Sequence, residues 1–418
     1  METGLSKYVT FLYAVSMIKR DRYMNTLRQF RDKDVIKIAT GVRRCGKSTL
    51  FSMFQDELRQ SGVKDSEIVS VNFESPRYLL ENIKWRDLWQ DVTERLKGVE
   101  KGYVFLDEIQ AVPEFEKLVD GLYVEPNIDL YITGSNAYFL SSELSTVLSG
   151  RYIEIKMLPL SFAEYASAFP DQTDHQKLYT DYVNYGSFPY IPALLKEGET
   201  AVDAYLQSIY ETVLYKDIIA RLNTEDETKM LNLVKFTMDN IGNTTSPRSI
   251  ADTMTSGGEK ISHPTVDSYL TALTKSFLLY QADRYDVRGK KLLQRYSKYY
   301  LVDLGLRQMI LGRTLSGDRG HILENIIYLE LLRRNRHVWI GKNNEAEIDF
   351  VVQTHHGDTE YYQVAETLLG EETRKRETRP LKNIPNHFPK FILTMDAGEY
   401  TDDGIRQLNV IDWLLAKD

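Results

Sequence analysis

The sequence predicts an α/β protein of several domains: a parallel-sheet core with a phosphate-cradling loop, a helical middle ending in a helix–helix–hairpin unit, and a second α/β unit. Three observations predict it. The apolar run Val35-Ile36-Lys37-Ile38-Ala39 leads into a glycine-containing loop and an amphipathic helix; helical spacing of apolar residues dominates 201–239; and strand-like and helical patterns alternate again beyond residue 301. At about 150 residues per domain, a chain of 418 residues accommodates two or three.

A composition of 42% hydrophobic and 27% charged residues excludes wholesale disorder. Lys and Arg number 52 against 60 Asp and Glu, a net charge of −8, so contact with nucleic acid or an anionic membrane requires a local basic patch. One cysteine, Cys45, makes no internal disulfide and no cysteine-based zinc site by itself, which points to a reducing, cytoplasmic compartment. The apolar stretches fall short of the roughly 20 residues of a membrane span.

Residues 1–16 read as a loosely attached, disordered leader without a signal-peptide cleavage pattern. Met17-Ile18-Lys19-Arg20 is an equally natural start, and the amphipathic set Tyr23, Leu27, Phe30 begins only after it.

The strand over 35–39 runs into Gly41-Val42-Arg43-Arg44-Cys45-Gly46-Lys47-Ser48-Thr49, and the helical set Leu50, Phe51, Phe54, Leu58 follows. This is a P-loop in its strand–loop–helix context. Its glycines let backbone N–H groups curl around phosphates, the helix N-terminus adds positive dipole, Lys47 reaches the β- and γ-phosphates, and Ser48 ligates Mg²⁺. Arg43 and Arg44 either add charge near the phosphates or pair structurally.

A metal-bound phosphate also needs a carboxylate at a neighbouring strand end. Tyr103-Val104-Phe105-Leu106-Asp107-Glu108 supplies it, with Asp107 as the metal partner and Glu108 as the base that polarises the attacking water. The strand-like runs ending at Asn72 and at Ser135-Asn136 place polar residues at the same sheet edge, where they either face the γ-phosphate or cap the helices that follow.

Gly41 to Leu50, Phe105-Leu106-Asp107-Glu108-Ile109-Gln110, Ile132-Thr133-Gly134-Ser135-Asn136, Ser149-Gly150-Arg151-Tyr152 and Leu158-Pro159-Leu160-Ser161-Phe162-Ala163-Glu164-Tyr165 resemble prokaryotic AAA-type ATPases with a C-terminal domain of unknown function 4143. The resemblance implies an AAA+ core over 17–166, with ATP and Mg²⁺ as cofactors. It puts Asp107 and Glu108 in the second nucleotide motif and Ser135 or Asn136 in the sensor position. Asn72 would stand where many such proteins restrain the catalytic glutamate. Arg151 either reaches the γ-phosphate of a neighbouring subunit in a homo-oligomer or makes a salt bridge within its own subunit.

Residues 167–235 read as a helical lid or connector, with Tyr205, Ile209, Val213 and Ile218 or Leu222 on one stripe. Over 236–300 a short helix at Ile250, a Gly257-Gly258 break, a second helix carrying Val266, Leu270, Leu273 and Phe277, and a basic hairpin outline a winged helix. Arg284, Arg288, Lys290, Lys291, Arg295 and Lys298 gather there, which favours DNA phosphate contact over a merely solvated hairpin.

Residues 301–418 should form helices over 321–334 and 375–384 and strands over 337–340, 348–352, 361–364 and 391–394. Glu324, Asp349 and Tyr362-Gln363-Val364-Ala365 resemble the restriction-endonuclease-like fold, with Gln363 and Ala365 replacing its Glu-x-Lys. A DNA- or protein-binding platform without nuclease activity is therefore expected. Three functions fit: an ATPase coupled to branched or forked DNA, a STAND-like nucleotide-controlled switch that binds a protein partner, and an ATP-gated nuclease. None involves a membrane.

Overall fold

The computed structural model describes residues 18–75, 78, 84–137, 148, 150–222, 226–312, 318–343 and 346–416, without the side chains of residues 294 and 295. The expected leader 1–16, Ser149 and the Arg295 side chain lie outside the described residues. The chain divides into two compact units. One comprises Met1–Pro159, Phe188–Ala193 and Lys275–Phe277; the other comprises Leu160–Ser187, Leu194–Thr274 and Leu278–Asp418.

The first unit is built on strands β1 (Ile36–Thr40), β2 (Ile68–Asn72), β3 (Gly102–Asp107), β4 (Ile128–Gly134) and β5 (Tyr152–Lys156). They pair in parallel in the order β2-β3-β4-β1-β5. β1 and β3 are buried along their whole length, as a parallel sheet covered on both faces requires. Around the sheet lie α1 (Asp21–Phe30), α2 (Lys47–Gln60), α3 (Trp85–Arg95) and α4 (Phe115–Tyr123). Strand alternation divides the core. Ile36, Ile38, Val104, Leu106, Leu130 and Ile132 pack with Leu88 and Val92 of α3 and Leu118 and Leu122 of α4. On the other face Phe105 and Tyr131 stack at 4.6 Å and meet Phe51 and Phe54 of α2.

Lys37 breaks the apolar run of β1 and is fully buried. It pairs with Asp129 of β4, whose Oδ2 also accepts from the Tyr131 hydroxyl at 2.8 Å and the Asp32 N–H at 2.9 Å. Burial pushes the Lys37 ammonium below its ordinary range against the opposing pull of Asp129.

The second unit carries β6 (Leu279–Asp286), β7 (Lys291–Leu301), β8 (His337–Asn343), β9 (Ala346–Gln353), β10 (Thr359–Ala365), β11 (Lys390–Thr394), β12 (Tyr400–Asp402) and β13 (Ile405–Asn409). They form one sheet in the order β12-β13-β11-β10-β9-β8-β6-β7. Its helices are α5 (Phe162–Ser167), α6 (His175–Tyr185), α7 (Glu199–Thr212), α8 (Glu227–Asp239), α9 (Pro247–Ser256), α10 (His263–Lys275), α11 (Leu304–Leu311), α12 (Arg319–Arg334), α13 (Glu371–Lys382) and α14 (Val410–Leu415). α7 runs on through a π-helical stretch, Val213–Ile219.

The helix–turn–helix expected near 250–275 is present as α9 and α10, and the hairpin follows as β6 and β7. That hairpin is continuous with the C-terminal sheet. β6 pairs in parallel with β8, Arg284 opposite Ile340, and Tyr285 stacks on Trp339 at 5.3 Å. Segments 236–300 and 301–418, expected as separate domains, thus share one sheet. Lys298 corrects the expected basic surface: it is buried, with Nζ 2.8 Å from Glu324 Oε1 and 2.7 Å from Glu347 Oε1. Two carboxylates recruit it inward.

Candidate nucleotide site

The site lies at the carboxyl ends of the first unit's strands, and the register explains why. Thr40 at the end of β1 pairs with Gly134 of β4, so Gly41 and Ser135 leave the sheet side by side. Leu106 pairs with Ile132 and Asn72 with Asp107, which brings Asp107, Glu108, Thr133 and Asn72 to the same edge.

Gly41 has φ +148°, and a Cβ there would meet the Met157 carbonyl and lie 3.0 Å from Cys45 Sγ. Gly46, at φ +104°, is the left-handed residue before α2. Only glycine takes both positions without strain. Val42 and Cys45 turn their side chains fully inward, leaving the backbone to line the loop. Burial pushes the Cys45 thiol up, so it is a packing group and a poor nucleophile. Ser48 and Thr49, in the first turn of α2, are exposed, as is Arg44, and Arg43 Nη1 sits 2.5 Å from Glu74 Oε1.

Lys47 is buried. Its Nζ donates to the Gly41 carbonyl at 3.0 Å and the Val42 carbonyl at 3.3 Å, and lies 3.5 Å from Glu108 Oε1. Glu108 stands in the left-handed region at φ +53° just beyond β3, with its N–H donating to Thr133 Oγ1 at 2.8 Å. Burial raises the Glu108 carboxyl, but Lys47 and Arg43, with hydrogen bonds from Gln110 and Ser135, outweigh burial and hold it below the usual range. It stays ionised near neutral pH, as a base must.

Asp107 accepts from Thr133 Oγ1 at 2.6 Å and from Asn72 Nδ2 at 3.1 Å, and the Ser48 hydroxyl also bonds it. Its direct partners are neutral donors. Burial therefore raises its pKa, with the Glu108 charge adding to the rise. A buried carboxylate beside a serine hydroxyl, bonded directly by neutral donors alone, fits a divalent cation: Ser48 and Asp107 would hold it, and it would neutralise phosphate charge.

Asn72 is in the site but touches Asp107, where the resemblance put its counterpart on the catalytic glutamate. Gln110, which closes the run Phe105 to Gln110 but carries no role there, makes that contact: its Nε2 is 2.5 Å from Glu108 Oε2 and 3.3 Å from Ser135 Oγ. Ser135 and Asn136 are both buried beyond β4. Arg20, to which the sequence assigns no role, is buried and donates to the Cys45 carbonyl at 3.1 Å and the Leu158 carbonyl at 2.7 Å, bracing the loop. Residue type alone announces neither role, since each side chain acts on a partner outside its own segment of sequence or beyond the P-loop.

Arg151 is not brought to this site. It precedes β5, and its carbonyl accepts from the Ile36 N–H at the start of β1, roughly 16 Å of strand from the P-loop. Its Nη1 is 3.2 Å from Asp120 Oδ1 and its guanidinium lies over Tyr123.

The AAA domain family matches residues 33–166, and a domain of unknown function, 8612, matches residues 176–316, where the sequence resemblance named domain 4143. An uncharacterized protein of Haemophilus influenzae is 39% identical over 411 residues, covering 96% of this chain and 99% of that one. The uncharacterized protein MJ1544 of Methanocaldococcus jannaschii is 26% identical over 391 residues, covering 90% and 85%. Among solved structures, the Walker-type ATPase PABY2304 of Pyrococcus abyssi aligns over 71% of this chain and 96% of its own, at 14% identity and a TM-score of 0.48. Among the described residues no helix is long and apolar enough to cross a membrane.

Proposed function

Because the chain belongs to the family of its Haemophilus influenzae relative and is an AAA-type ATP-binding protein, we propose that it hydrolyses ATP with Mg²⁺. The observation that carries this reading is the convergence of Lys47, Ser48, Asp107 and Glu108 at one sheet edge, with Glu108 held ionised. Backbone N–H groups of 41–49 bind the phosphates, Lys47 neutralises charge on them, Ser48 and Asp107 hold the metal, and Glu108 takes the proton of the attacking water. Ser135 and Asn136 act as sensors of the γ-phosphate. Arg151 acts on the site of a neighbouring subunit in a homo-oligomer, since its own lies too far away.

Hydrolysis is coupled to DNA of branched or forked structure in a cytoplasmic setting. Support comes from the order of α9, α10 and the β6–β7 hairpin, which is that of a winged helix, and from exposed Arg288, Lys290 and Lys291 at its turn. The residues from 301 onward serve this role as a nuclease-like platform. The test is the steady-state ATPase rate with Mg²⁺, alone and with forked, single-stranded and duplex DNA. Several-fold stimulation by forked DNA is expected. Turnover indifferent to DNA, with ADP retained, would replace this reading by a STAND-like switch acting on a protein partner.

A further inference from the structure

Gln110 lies in the short 3₁₀ turn Ile109–Ala111 after Glu108, and nothing in a P-loop site requires a carboxamide there. Its amide nonetheless bridges two strand ends: Nε2 reaches Glu108 Oε2 beyond β3 at 2.5 Å and Ser135 Oγ beyond β4 at 3.3 Å. The amide's orientation follows from chemistry. An ionised carboxylate only accepts, so the NH₂ group must face Glu108 and the carbonyl must face away. That leaves Gln110 Oε1 buried without a hydrogen-bond partner among the described residues, an acceptor beside the base.

We propose that Gln110 is a positioning residue for ATP hydrolysis, tying Glu108 to Ser135 so that the base and the Ser135 hydroxyl move as one unit. The inference rests on the ATPase reading above. One N–H fixes the carboxylate that takes the water's proton, while the same amide reports the place of Ser135, the residue at the end of the strand beside the P-loop strand. Displacement of Ser135 by a γ-phosphate thereby reorients Glu108, so the base is aligned only when nucleoside triphosphate is bound. The Glu108 backbone, in the left-handed region and held by Thr133, keeps the main chain fixed, and the side chain alone swings.

The test uses the full chain with Mg²⁺ and compares wild type with Gln110→Leu, which keeps the packing volume and removes the amide, and with Gln110→Glu. Nucleotide affinity, KM and kcat are measured. Gln110→Leu should bind nucleotide within about twofold of wild type and lose about tenfold or more in kcat, the weight of a hydrogen bond to a charged catalytic group. Gln110→Glu should lose at least as much in kcat, a like charge replacing the donor.

A merely structural glutamine would lower affinity and kcat together. That result, or an unchanged kcat in Gln110→Leu, overturns the proposal. A wild-type chain that binds ATP but never turns it over removes the ATPase reading, and the inference with it; active wild type with an indifferent Gln110→Leu overturns the inference alone.

Discussion

The Lys47 ammonium lies 3.5 Å from Glu108 Oε1, and both side chains are buried. The residue proposed to bind phosphate and the residue proposed to activate water are therefore electrostatic partners, yet their losses should differ. Lys47→Ala removes the phosphate contact and should abolish nucleotide binding. Glu108→Gln keeps the shape and removes the base: affinity for ATP should stay within a few-fold of wild type, while single-turnover hydrolysis falls by about 10²-fold or more. Equal loss of affinity in both variants would contradict the assigned roles.

Much of this site is legible in the sequence because its chemistry is local. Gly41 to Ser48 is contiguous, and Asp107-Glu108 follows a plain apolar strand, so residue type and spacing suffice. Gln110 and Arg20 are not legible for the same reason: what they do depends on strand ends and a helix brought together by the fold. Lys298 shows a second limit. In sequence it sits among basic residues; in the fold, carboxylates from α12 and β9 decide which way it points. β12 and β13 lack a clean alternation of apolar and polar residues, so no strand pattern announces them.

Gly41→Ala should damage the loop by backbone and steric strain together. A Cβ would drive into the Met157 carbonyl at a φ of +148°, which non-glycine residues avoid. Neither neighbour is the flexible end of a long side chain. We expect a destabilisation of about 2 kcal/mol or more by denaturant unfolding, with nucleotide affinity lost in parallel. Wild-type stability in this variant would show that the loop can shift away from Met157.

Reversing the charges of Arg288, Lys290 and Lys291 should weaken DNA binding alike for all sequences and flatten its dependence on salt, since phosphate contacts release counterions. Part of the Arg288 effect is structural: its Nε is 3.1 Å from Asn343 Oδ1. The Lys290 and Lys291 double variant is thus the cleaner measure, and basal ATPase should survive in it. Unchanged DNA affinity would assign the hairpin to protein contact.

Around Lys298 the C-terminal sheet holds a charge cluster whose members pair with one another, and on that ground we expect it not to cut DNA. Metal-assisted cleavage of a phosphodiester needs carboxylates free to hold the cation and a lysine free to orient water or offset developing charge. Lys298 is the lysine that comes to Glu324, but its ammonium is engaged by Glu324 and Glu347, and Glu324 Oε1 also takes the Tyr300 hydroxyl at 2.5 Å. Asp349 Oδ2 accepts from the Val364 N–H at 2.8 Å, and burial, then the Glu324 charge, push its carboxyl well above the usual range. Gln363, standing where a carboxylate would be expected, spends its NH₂ group on Glu377 at 3.0 Å. Two measurements check this. Incubation with labelled forked DNA and Mg²⁺ or Mn²⁺, with and without ATP, should leave the DNA intact; cleavage abolished by Asp349→Ala in a folded protein would overturn the expectation. Lys298→Met, which leaves buried carboxylates uncompensated, should destabilise the protein by about 3 kcal/mol or more near pH 7. That penalty should shrink as pH falls, because protonation removes the stranded negative charge. A penalty that stays constant into the carboxylate range would mean that Lys298 contributes packing and no charge balance.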